Sequence, residues 1–205
     1  MKDKVFFSAK DLVSRSCKQL KFFIDNPEAK PKPTDAQYDG IDYQHQIASS
    51  IDGLIGEEMG NYIEFDNIRV YFSNDIVTPS EIIEVKNIDK NRPVEEYYRN
   101  NSILQTAMYC ALTQECNRFL RTSAFHVNSG HEYKTTIVDS RFEYKLYFGD
   151  EKYLILITNR EKLIYFLKTK ALYCLDWNKA REFDAKYKRR EFEVLKDCFE
   201  YKKIG

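Results

Sequence analysis

Asn74-Asp75-Ile76-Val77-Thr78-Pro79-Ser80-Glu81-Ile82-Ile83-Glu84-Val85-Lys86 is the stretch on which the fold turns. Two apolar runs flank Thr78-Pro79-Ser80, a combination that favours a turn and so predicts an antiparallel hairpin. If residues 78–81 form a four-residue loop, Val77 falls opposite Ile82. Two steps back along each arm then set Asp75 opposite Glu84. Directly opposed residues have Cβ atoms roughly 4.5–5.5 Å apart. Two carboxylates at that separation repel unless positive charge sits between them. Lys86, two residues beyond Glu84, projects from the same face of its strand. Two acids with open positions left for water and an anion describe a site for a hard cation such as Mg²⁺. A lysine alongside can orient or help deprotonate an attacking water and neutralise charge developing on phosphorus.

Outward from this hairpin the period of the sequence changes. Upstream, Tyr62–Phe65 and Ile68–Phe72 read as two further strands joined by a tight turn at Asp66-Asn67. Before them, residues 8–25 are predicted as a helix, with Ser8 as N-cap and Asp11 three residues on. Asn26 to Pro33, with three prolines, ends it. A second helix is expected over 41–57, weakened at its end by Gly53 and Gly56. Downstream, Val94 to Cys116 predicts a long helix. Two to four further strands are expected, at Phe119–Val127, Tyr133–Val138, Phe142–Phe148 and Tyr153–Thr158, then helices at 160–174 and 177–201. The expectation is one α/β domain over 1–205, with a core of about 8–140 in the order helix, three strands, helix, strand. A helical C-terminal extension over about 159–205 completes it.

The chain has 205 residues, 43% of them hydrophobic and 31% charged, enough to bury a sizeable core. Its 32 basic and 32 acidic residues cancel. Any attraction for a polyanion must therefore be local. Five scattered cysteines, with no Cys-x-x-Cys, argue against a disulfide framework or a zinc site. The N-terminus lacks the apolar run of a signal peptide and no stretch reaches membrane-spanning length, so a cytoplasmic protein with no membrane partner is expected.

Asp75…Glu84-Val85-Lys86 resembles the Asp…(Asp/Glu)-x-Lys signature of PD-(D/E)XK nucleases, and the predicted element order is similar to that superfamily's restriction-endonuclease-like core, with a mixed central sheet. Gln105-Thr-Ala-Met-Tyr109 on the next helix is similar to the Gln-x-x-x-Tyr motif of the RecB-like branch. His45 lies where that branch carries a metal-binding histidine. The resemblance spans roughly residues 8–127. It implies that Asp75 and Glu84 ligate Mg²⁺ or Mn²⁺ together with the Val85 carbonyl, that Lys86 positions water, and that His45 adds an imidazole, which favours Mn²⁺ alongside Mg²⁺. It also implies that Gln105 and Tyr109, four apart on one helix face, contact DNA or brace Lys86. Some RecB-like nucleases hold a four-cysteine iron–sulfur cluster. Cys17 sits near the first ligand position, but closely spaced C-terminal cysteines are missing, so no cluster is expected.

The resemblance implies a metal-dependent deoxyribonuclease acting on single- or double-stranded DNA, an exonuclease of recombination, repair or phage DNA metabolism, with a helicase or recombination protein as partner. Two other functions stay open: a non-catalytic DNA- or partner-binding subunit on the same fold, and an endonuclease of restriction or junction-resolving type. Lys186, Lys188, Arg189 and Arg190 interleave with Tyr187 on the last predicted helix, either gripping a phosphate backbone or forming a solvated face. His126, His131 and Asp139 are read as structural. Met108 and the pair Tyr97-Tyr98 are read as core.

Overall fold

The computed structural model describes residues 4–88, 93–116, 118–121, 135–137 and 142–205, with 118–121 and 135–137 as backbone. In chain order the elements are β1 (Val5–Ser8), α1 (Ala9–Ser14), α2 (Cys17–Asp25), α3 (Asp35–Ser49), β2 (Gly56–Phe65), β3 (Ile68–Val77), β4 (Glu81–Lys86) and α4 (Glu96–Cys116). There follow β5 (Arg118–Arg121), β6 (Thr135–Ile137), β7 (Glu143–Phe148), β8 (Glu151–Ile157), α5 (Arg160–Tyr173), α6 (Trp177–Tyr187), α7 (Glu191–Leu195) and β9 (Phe199–Lys203). The molecule is an α/β protein with one open mixed sheet. Among the described residues, seven strands carry described side chains, and the short β5 and β6 extend the sheet at one side.

The hairpin register is the one the turn chemistry predicts, with Val77 opposite Ile82 and Ile76 opposite Ile83. Thr78 closes the turn, its hydroxyl accepting from the Glu81 amide at 2.9 Å. The first hairpin turns at Asp66, whose φ of 51° is the left-handed conformation a two-residue turn requires. Both of its strands run longer than expected, to ten residues each. Gly60 permits this, because a Cβ there would sit 2.0 Å from the Phe72 carbonyl oxygen.

Several sequence expectations need correction. The helix expected over 8–25 is two helices preceded by a strand. Ser8 does cap α1, but Ser16 begins a new helix whose first amides, Cys17 and Lys18, donate to the Asp184 carboxylate at 2.7 and 3.0 Å. That long-range cap fixes where the chain bends. The second helix starts earlier, at Asp35 behind a Thr34–Gln37 capping box, and ends at Ser49. The last helix stops at Tyr187, so Lys188, Arg189 and Arg190 form the turn before α7, with Arg189 at φ 62°. Residues 199–203 are a strand against β8, where helix was expected. The strand beside β4 is β7, parallel as a β–α–β connection allows, whereas β5 pairs with β2 on the far side of the hairpin. The core therefore draws on residues beyond 140. His126, His131 and Asp139 lie outside the described residues.

One hydrophobic cluster runs from Phe7 to Phe199 and packs the sheet against α1, α4, α5 and α6. Helix α4 is buried continuously from Ser102 to Thr113, Met108 included. A helix enclosed on all sides must satisfy its polar groups internally. Ser102 and Thr106 donate to carbonyls one turn back, and Thr113 accepts from Asn74. Tyr97 and Tyr98, expected in the core, are 42% and 45% exposed at the helix start. On the other face of the sheet a small cluster forms, where Ala48 of α3 meets Ile76, Ile83 and Val85.

Candidate active site

Strand β3 has two neighbours along one edge. Ile68–Tyr71 pair with β1, Ile76 and Val77 pair with β4, and Phe72 to Asp75 have no strand partner on that side among the described residues. The opposite ladder, to β2, also skips one step, the Glu58–Asp75 pair, and Glu58 has φ 49°. Side-chain alternation resets here. Ile68, Val70 and Phe72 face the main core, and so does Val77, while Ile76 faces the small cluster under α3. The reset turns the Asp75 carboxylate towards the neighbouring strand, where its Oδ2 accepts the Val85 amide at 2.8 Å. A side-chain oxygen thus replaces the backbone carbonyl that a continued ladder would have offered. The Asp75 carbonyl accepts from Gln44 of α3 at 3.1 Å.

Glu84 points to the α4 face and is 3% exposed. Its Oε1 accepts Lys86 Nζ at 2.5 Å and Gln105 Nε2 at 2.7 Å. Its Oε2 is buried and, among the described residues, has no partner. Burial raises the Glu84 carboxyl to about 7, the Asp75 charge adds to the rise, and Lys86 opposes it. Burial also raises Asp75, against the pull of Lys86 and the Val85 amide. Burial works to lower Lys86, but the two carboxylates outweigh it and hold the ammonium at about 12. Tyr109 packs on Phe72, ring centroids 6.2 Å apart, and burial, reinforced by the two nearby acids, lifts its phenol well above the ordinary range. The hairpin and α4 therefore bring Asp75, Glu84, Val85, Lys86, Gln105 and Tyr109 to one groove of about 990 Å³.

An unpartnered, buried carboxylate oxygen is costly in free energy. A divalent cation fits that oxygen, and the hard-oxygen donors Asp75, Glu84 and the Val85 carbonyl are the right chemistry for Mg²⁺ or Mn²⁺. Among the described residues no three His, Cys, Asp or Glu side chains converge on one point, so protein ligands would have to be completed by water and substrate. His45 is elsewhere: it is half exposed, and its Nδ1 bonds Glu57 Oε2 at 2.5 Å. The neighbour Gln44 faces the groove instead. Cys17 packs against Cys174, Sγ to Sγ 3.0 Å. Lys186 lies over the Tyr187 ring and Arg189 over that of Tyr97, outside the groove lining.

Sequence reasoning missed several groove residues. Lys10 of α1 is close enough to act on both acids. Glu58 raises Asp75 from the partner strand. Ser73 lines the groove with a buried hydroxyl that has no partner among the described residues. None carries a spacing signal, because each comes from a different element. Among the described residues no helix is long and apolar enough to cross a membrane. Comparison with protein-family models, with curated proteins and with solved structures finds no match to this chain.

Proposed function

We propose that the chain is a Mg²⁺- or Mn²⁺-dependent deoxyribonuclease with a PD-(D/E)XK core, of the RecB-like kind, acting in recombination, repair or phage DNA metabolism. The observation that carries this reading is the orphaned Glu84 Oε2 beside Asp75, in a groove where Lys86 and Gln105 already occupy the other carboxylate oxygen. A bound divalent cation would supply Lewis-acid polarisation of the phosphate and a water of lowered pKa. The protein's own groups do the rest. Gln105 holds Glu84 in one rotamer, and the Val85 amide holds Asp75. Lys86, an ammonium at the same carboxylate, orients water and offsets the charge gathering on the phosphoryl oxygens. Hydrolysis forms one P–O bond from water and breaks the bond to the leaving sugar oxygen, which takes a proton from solvent.

Purified protein should cleave single- or double-stranded DNA with Mn²⁺ or Mg²⁺, and linear against closed circular DNA separates end from internal attack. No cleavage under any of these conditions would remove the enzyme reading. The rival, a non-catalytic DNA- or partner-binding subunit, draws support from the zero net charge and from His45 being engaged by Glu57. Calorimetric titration with Mn²⁺ separates the two: the enzyme takes up metal and loses that uptake in Asp75→Asn, while the binding subunit shows no such uptake.

A further inference from the structure

The groove has a mouth as well as a floor, and the mouth is aromatic. Parallel pairing of β1 with β3 sets Phe6 beside Arg69 and Ser8 beside Tyr71. Phe7 and Val70 turn into the core, so Phe6, Arg69 and Tyr71 share the opposite face. Phe6 is 55% exposed, with its ring 6.0 Å from that of Tyr71 and tilted by 30°. Arg69 lies 4.1 Å over Tyr62 and also donates to the Tyr71 hydroxyl. Across from this platform the wall is the start of α3, where Ala36, Gly40 and Ile41 line the groove. A Cβ built on Gly40 meets nothing within 4 Å. Lys10 and Lys30 stand at the rim.

We infer that this groove threads a single DNA strand, whose bases stack on Phe6 and Tyr71 while its backbone descends to Asp75 and Glu84. The inference rests on the nuclease reading for its direction and deepens it by naming the substrate. Stacking on aromatic rings is tolerant of base identity and needs unpaired bases. Lys10 supplies positive charge in the groove; Arg69 pairs with Glu64 and Lys30 with Asp11, pairs that a phosphate backbone would have to share.

The test is fluorescence anisotropy with a mixed-sequence 20-nucleotide strand, its duplex, and a strand carrying abasic sites, at one fixed salt concentration in the cleavage-blocked Glu84→Gln protein. The single strand should bind at least tenfold more tightly than the duplex. Abasic sites should cost about tenfold, and Phe6→Ala should cost about tenfold on the intact strand and nothing further on the abasic one. Gly40→Leu, which narrows the groove at a helical position that favours leucine, should weaken binding of the intact strand without lowering the melting temperature. Equal affinity for strand and duplex, or indifference to the bases, overturns the stacking proposal even if Mn²⁺-dependent cleavage is found. Base-dependent binding without any cleavage upholds the groove and removes the nuclease.

Discussion

Among the described residues, the lysine–carboxylate pairs Lys170–Glu191 and Lys86–Glu84 are both largely buried, and they differ in what is left over. Lys170 of α5 is 1% exposed and meets Glu191 at 3.3 Å, with the Phe183 ring 5.8 Å from the ammonium. Its carboxylate partner leaves no buried oxygen unpaired among the described residues. Lys86 and Glu84 lie at 2.5 Å, but a second acid stands beside them and Glu84 keeps an orphaned oxygen. A pair that closes on itself holds two helices in register. A pair that leaves a second acid and a lone pair over fits the proposed cation. Burial alone does not separate the two; the balance of donors does.

The comparison is broken most sharply by activity. Glu84→Gln should lower Mn²⁺-dependent DNA cleavage by about a thousandfold, while Glu191→Gln should leave the rate per folded molecule unchanged. Equal losses in both variants, measured on folded protein, would mean that the two pairs do the same work. Stability should show the reverse order. Lys170→Ala strands Glu191 and should cost about 3–5 kcal/mol in denaturant unfolding, and replacing both partners by Met and Leu should recover most of it.

A pH titration sharpens the contrast further. The Glu84 carboxyl is raised in the fold from 4.5 to about 7, so the fold favours its protonated form. That stabilisation is complete below about pH 4.5 and is lost as the pH rises through 7. Protein treated with a chelator should therefore weaken by about 3 kcal/mol between pH 4.5 and 7.5. Glu84→Gln should flatten that slope, and Mn²⁺ should restore stability at the alkaline end. The smallest effect belongs to the helix cap that orients the N-terminal elements around the closed pair. Asp184→Ala should cost about 1–2 kcal/mol of unfolding free energy, through two lost amide partners at Cys17 and Lys18. An unchanged melting temperature would show that α2 starts at Cys17 for another reason.

The hairpin was legible because everything it needs is local. Thr78-Pro79-Ser80 specifies a turn, β-branched residues specify strands, and a period of two then places Asp75, Glu84 and Lys86. Gln105 and Tyr109 were legible for a related reason, since helical spacing alone sets them on one face, and Gln105 does bond Glu84. His45 does not line the groove, and its neighbour Gln44 does. Only the docking of α3 on Ile76, Ile83 and Val85 decides whether residue 44 or 45 meets the sheet, and docking is not written in helical periodicity. The aromatic mouth was missed because Phe6-Phe7-Ser8 is too short to signal a strand without its partner Ile68–Tyr71.

The sequence by itself determined the hairpin register and the identity of the three side chains that carry the proposed chemistry, because turn propensity and strand alternation act over a few residues. Tertiary structure alone decided the gap between β1 and β4, the reset at Asp75 that lets a carboxylate stand in for a carbonyl, and the choice of β7 as the strand beside β4. Each depends on chain segments tens of residues apart competing for the same edge of β3 and β4. That competition is settled by packing and hydrogen-bond satisfaction across the whole core, which no local pattern encodes.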